Sequence, residues 1–208
     1  MIKKCLLFLL VFSGYYANAQ ELFFSTGENF TSYNYNNSQG ISSSNIRSGS
    51  GSFYQLGMDF KLNKSADSDK TYAVSVVYNQ FNAIGGTSTA NYSWDTNYLG
   101  LQNTLNFTFL KITNSFKIKT KFGFAASTLI KAEQFVNNTK YDISMHQDFS
   151  KIVLQPNIGL DFQYTVTQNF KISGGYEFSK VFNTSNSSAE KLSFTNNRIH
   201  FGLHFPLN

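Results

Sequence analysis

The stretch FKIKTKFGFAASTLI, residues 116–130, decides the fold. Phe116, Ile118, Thr120, Phe122, Phe124, Ala126, Thr128 and Ile130 take every second position, with Lys117, Lys119, Lys121, Gly123, Ala125, Ser127 and Leu129 between them. Successive side chains of a β-strand point to opposite faces, so the segment has one lipid-like face and one small or charged face. This period of two recurs along the chain and does not turn helical.

Segments of that kind, bounded by turn residues, predict eight strands: Glu21–Tyr35, Ser52–Leu62, Lys70–Phe81, Tyr92–Phe109, Ser115–Lys131, Lys151–Thr165, Asn169–Phe182 and Leu192–Leu207. Each is long enough to cross a bilayer as a tilted strand of about 9–11 residues. The first has the weakest pattern, because Glu28 and Phe30 share a parity, and a bulge is expected there. The connections alternate in length. Lys64–Asp69, Lys111–Asn114 and Val166–Gln168 are short, whereas Asn36–Gly51, Ile84–Asn91, Ala132–Ser150 and Asn183–Lys191 are longer and polar. Short turns on one side and long loops on the other characterise membrane barrels.

The N-terminus reads as an export signal over residues 1–19. Lys3 and Lys4 form the basic region, Leu6 to Phe12 the apolar one, and Ala17-Asn18-Ala19 the cleavage site. Residues 20–208 would then form one domain. The single cysteine, Cys5, leaves with the signal, which excludes disulfides, zinc thiolates and a cysteine nucleophile from the mature chain. No run of 18 apolar residues offers a spanning helix, so any span must come from strands closed into a barrel. Abundant Phe (22) and Tyr (12) with only 2 Pro suit such a barrel. The formal charge of +5 includes both signal lysines, and no basic cluster with interleaved stacking aromatics speaks for nucleic acid.

Alternation alone also fits a soluble barrel with its apolar face inside. Three details favour the inverse arrangement. Tyr54, Leu56, Met58, Phe60 and Leu62, like Leu154, Ile158, Leu160, Phe162 and Tyr164, are too bulky for an eight-stranded lumen; their opposite faces (Gln55, Gly57, Asp59, Lys61; Gln155, Asn157, Gly159, Asp161, Gln163) are small or polar. Aromatics gather at both expected rims, with Trp94, Tyr98, Tyr78 and Phe178 towards the outer one. The last strand alternates Ile199, Phe201, Leu203, Phe205 and Leu207 against Arg198, His200, Gly202 and His204. It resembles the terminal strand by which outer-membrane barrels are recognised for insertion, although Pro206, Leu207 and Asn208 follow the aromatic.

On these features the chain resembles the outer-membrane β-barrel domain family, OmpA/OmpX-like in size and of the porin-family type. The resemblance covers the whole mature chain. It implies an all-β, eight-stranded antiparallel up-and-down barrel in the outer membrane of a Gram-negative envelope, and it carries no catalytic motif.

Inward charges must pair or be hydrated. With Phe116 opposite Thr165, Lys119 and Lys121 fall near Asp161, and Glu177 falls near Arg198; Asp59 and Lys61 share a face, and barrel closure would bring Glu28 near His200. These residues predict a polar lumen plugged by ion pairs. His200 and His204 are some 13 Å apart along a strand at about 3.3–3.4 Å per residue, too far to share a metal, so luminal hydrogen bonding is their expected role. The third outer loop holds Asp142, Ser144 and His146, the parts of a nucleophilic triad, although no motif frames them and a strand extension fits equally well. The expected role is that of a non-enzymatic structural or interaction barrel without cofactor. Its expected partners are outer-membrane lipid and an envelope or extracellular protein. A narrow channel and a rim enzyme acting on lipid A remain the alternatives.

Overall fold

The computed structural model describes residues 21–36, 46–62, 70–86, 90–145, 152–184 and 191–207. The segment read as a signal lies outside the described residues. Among the described residues nine strands follow in order: β1 (Glu21–Asn36), β2 (Ile46–Lys61), β3 (Lys70–Gly86), β4 (Asn91–Lys111), β5 (Phe116–Val136), β6 (Thr139–Asp142), β7 (Ile152–Thr167), β8 (Phe170–Asn183) and β9 (Lys191–Pro206). All are paired antiparallel, in the order β4-β3-β2-β1-β9-β8-β7-β5, and the β4–β5 pairing closes the ring. The fold is a closed eight-stranded barrel, with the short β6 paired to the outer end of β5. Closure removes every edge that would expose unpaired backbone to lipid.

The barrel is apolar outside and largely polar inside. Leu56, Met58, Phe122, Phe124, Ile158, Leu160, Phe162 and Phe201 are each exposed, while Gln55, Asp59, Ser75, Asn79, Gln102, Gln155 and Asp161 are buried. Water-soluble monomers seldom expose apolar patches above a few hundred Å². A continuous apolar surface around a closed barrel is a surface for lipid.

Several expectations shift. Phe116 pairs with Tyr164 and not with Thr165, and Lys119 with Asp161. The displaced register would have set the apolar row of one strand against the polar row of the other. The first strand is regular: Glu28 and Phe30 both point outward, and the irregularity lies in β2, between Ser48 and Phe53. Closure of β1 on β9 sets Gly27 against His200 and Glu28 against Ile199, so Glu28 is not luminal. Trp94 and Tyr98 do not join an outer girdle. Tyr98 is fully buried inside the barrel and Trp94 packs beside it, whereas Tyr78 meets Tyr54 on the outer surface.

The strands also outrun the membrane, at 14 to 21 residues in the ring. β5 passes over a bulge at Ile130, where Tyr98 pairs with Leu129 and Asn97 with Lys131. Beyond it the inward parity changes, and Ala132 faces in. The chain then reverses at Asn137 and Asn138, with φ of 48° and 68°, into β6. Two left-handed residues make the tight hairpin turn whose twist matches the strands, and asparagine tolerates that conformation.

Candidate functional site: the barrel interior

The interior is built in three levels, each from side chains that alternate inward along neighbouring strands. At the inner end, the one with the short β4–β5 and β7–β8 turns, Glu21 at the start of β1 meets Lys171 of β8 and, at 2.8 Å, His204 Nδ1 of β9. His204 Nε2 lies 2.9 Å from Ser173 Oγ, and its ring stacks on Phe23. Asp59, Lys119, Lys121, Asp161 and His204 share the walls of a small cavity of about 20 Å³. That is room for about one water.

One level up, Asp161 takes Lys121 Nζ at 3.0 Å and His200 Nε2 at 2.7 Å. Gly175 stands opposite, and a Cβ there would come within 2.2 Å of the Asp161 carboxylate, so the missing side chain makes room for the charge. Above them lies Arg198, among the largest fully buried side chains. Its Nη1 donates to Glu177 at 2.7 Å, its Nη2 to Asn79 Oδ1 at 2.7 Å and its Nε to Asn29 Oδ1 at 3.0 Å. The guanidinium lies over the Phe53 ring, 3.7 Å from its centroid. Each of its three nitrogens thus donates a hydrogen bond, and the charge is paired with Glu177, as a buried ion requires.

The outer level is apolar, where the sequence reading expected a polar lumen. Tyr33, Phe81, Tyr98, Val153, Val181, Leu192 and Phe194 form one buried cluster. Tyr33 stacks on Phe194 with centroids 4.4 Å apart, and its hydroxyl bonds the Phe81 carbonyl at 2.8 Å. Bulky rings thus face inward from β1, β3, β4 and β9 at one height.

Of the residues read as a luminal charge network, the fold joins Lys121 to Asp161 and Glu177 to Arg198. Lys119 sits beside Asp59 on the small cavity. Lys61 lies exposed at the end of β2 and forms no ion pair with Asp59 among the described contacts. Sequence reasoning missed Glu21, Lys171, Asn29, Asn79 and Phe53 as partners. Their inward parity was legible, but which strand faces which across the lumen depends on shear and tilt that no hairpin reveals.

The loop triad does not assemble among the described residues. Ser144 Oγ bonds the backbone of Ala132, accepting its N–H at 3.0 Å and donating to its carbonyl at 3.3 Å. Asp142 accepts the Ser144 N–H at 2.9 Å, a bond that holds its carboxyl below the usual range. His146 lies outside the described residues. Nearby, above the apolar band, Glu133 holds Lys131 at 2.8 Å and Lys140 at 2.6 Å; hydrogen bonds from both lysines lower its pKa. Asp142 and Ser144 therefore fasten a strand extension.

No family model matches the chain, and no curated protein matches it. Solved structures of similar shape are outer-membrane barrels. Neisserial surface protein A is 12% identical over 89% of this chain and 97% of its own, with a TM-score of 0.46. The outer membrane protein OprG from Pseudomonas aeruginosa is 17% identical over 91% and 97%, also with a TM-score of 0.46. The outer membrane protease OmpT from Escherichia coli is 8% identical over 92% and 98%, with a TM-score of 0.49. Their roles differ, and no activity passes from them to this chain. The closed ring and its lipid-facing exterior make the protein an eight-stranded transmembrane β-barrel of the outer-membrane type.

Proposed function

We propose that this barrel is a non-enzymatic, non-conducting outer-membrane protein that works through its outward surfaces. The observation that carries the reading is the sequence of two different seals along one lumen: the Arg198 cluster and, above it, the ring of Tyr33, Phe81, Tyr98 and Phe194. An ion entering from outside would first shed water against apolar rings, then meet a buried guanidinium already paired with Glu177. Eight-stranded barrels have interiors just wide enough for side chains to fill. What the protein offers its surroundings is then its exterior and the strand extensions above the membrane.

The enzymatic alternative loses its nucleophile in this reading, because Ser144 Oγ is engaged with Ala132. Liposome swelling with small sugars tests permeation, and wild-type liposomes should swell no faster than empty ones. The mass of lipid A from cells expressing the protein tests the rim-enzyme reading. It should be unchanged, and a shift abolished by Ser144→Ala would replace this proposal with catalysis.

A further inference from the structure

The outer wall carries a groove of about 620 Å³ where β9, β1, β2 and β3 meet. Its walls include Glu28, Phe30, Ser50, Ser52, Gln80 and Ile199. The groove lies over the β2 irregularity between Ser48 and Phe53. Ser50 and Ser52 face out there on the same parity as Tyr54, with small side chains beside Phe30 and Gln80. Gly27 lines the groove's floor, where a Cβ would meet the Ile199 carbonyl oxygen of the adjoining strand at 2.0 Å.

Height along the barrel matters most. Glu28 is paired across β1 with Ser52 and Ile199, one outward step above the level of Thr26, Tyr54 and Phe201. Tyr54 packs beside Tyr78 on the exterior, the rings tilted by 38° and their centroids 6.0 Å apart. Amphipathic rings of that kind mark the boundary between acyl chains and headgroups. An exposed carboxylate thus stands at headgroup level, beside Ile199 and one outward step above Phe201. No lysine or arginine is among the groove's described lining residues.

We propose that this groove seats a phospholipid whose headgroup carries a primary ammonium, with the ammonium on Glu28 and an acyl chain along Ile199 and Phe201. A carboxylate at the edge of a low-dielectric layer favours a cation strongly, and N–H donors make that contact a charge-assisted hydrogen bond. The serine hydroxyls and the Gln80 amide add donors for the phosphate beside it. Continuity of the groove with the lipid-facing row selects a lipid over a soluble amine.

The test is native mass spectrometry of the detergent-purified barrel titrated with phosphatidylethanolamine or phosphatidylcholine of identical chains. The two lipids carry the same net charge, but the choline ammonium has no N–H to donate. Wild type should retain phosphatidylethanolamine several-fold over phosphatidylcholine. Glu28→Gln should bring that ratio close to one, and Ser50→Trp, which fills the groove and leaves the carboxylate in place, should do the same. If Glu28→Gln does not assemble, Ser50→Trp decides alone. Equal retention of both lipids by wild type, or a preference that survives Ser50→Trp, would overturn the proposal.

Discussion

The guanidinium of Arg198 lies 3.7 Å from the centroid of the Phe53 ring, and both side chains are almost wholly buried at the centre of the barrel. Phe53 follows the β2 irregularity and Arg198 sits on β9, two strands away. The ring thus packs one face of an ion whose three nitrogens donate to Glu177, Asn79 and Asn29. A desolvated cation–π contact of this kind contributes about 2 kcal/mol. The same pair bridges β2 and β9 over the intervening β1.

Removing one partner of the buried pair should therefore be severe. Glu177→Ala leaves Arg198 with an unpaired charge, and breaking a buried ion pair costs about 3–5 kcal/mol. Urea unfolding in detergent, followed by the gel shift of the unheated barrel, should register a clear loss. The double change Glu177→Leu with Arg198→Met should recover most of it, because no charge is then left without a partner.

On the lipid face, Phe122→Arg should reduce assembly, since arginine at mid-membrane costs about 2–4 kcal/mol. Phe122 is exposed on the outer wall of β5, paired with Leu105 and Ile158. The control is Ser127→Ala on the inward face, whose hydroxyl has no hydrogen-bond partner among the described residues and should be dispensable. Gly123→Ser is a poorer control, because a Cβ there meets Asn157 Oδ1 at 2.2 Å. Yield of folded protein in the outer-membrane fraction separates the two variants.

Much of this barrel was legible in its sequence, and the reasons for the rest are local. Where one face is bulky and the other small or charged, as at 116–129 and 154–164, alternation assigned the faces directly. Around Tyr33, Phe81 and Phe194 the inward side chains are themselves large and apolar, so alternation fades and the outer seal stayed hidden. A bulge at Ile130 changed the inward parity, which concealed Ala132 and the β5–β6 hairpin inside an apparent loop. Glu28 looked luminal because closure was expected to bring it near His200, and a shift of one residue gives that place to Gly27.

The hairpin above the membrane should respond to acid. Glu133 has its pKa lowered in the folded state by Lys131 and Lys140. Its contribution is therefore present above the ordinary glutamate pKa and is lost as pH falls through the depressed folded value. Amide exchange in β6 should accelerate on going from neutral to strongly acidic pH after correction for intrinsic rates. Glu133→Gln should already show the faster exchange at neutral pH.

Single-channel recording in planar bilayers tests the closed lumen most directly, with wild type beside a variant in which Phe81 and Phe194 are changed to Gly and Arg198 to Ala. Wild type should give a silent baseline, and the variant, stripped of both seals, should give resolved current steps. Stable, sizeable channels from the wild-type barrel would contradict the account.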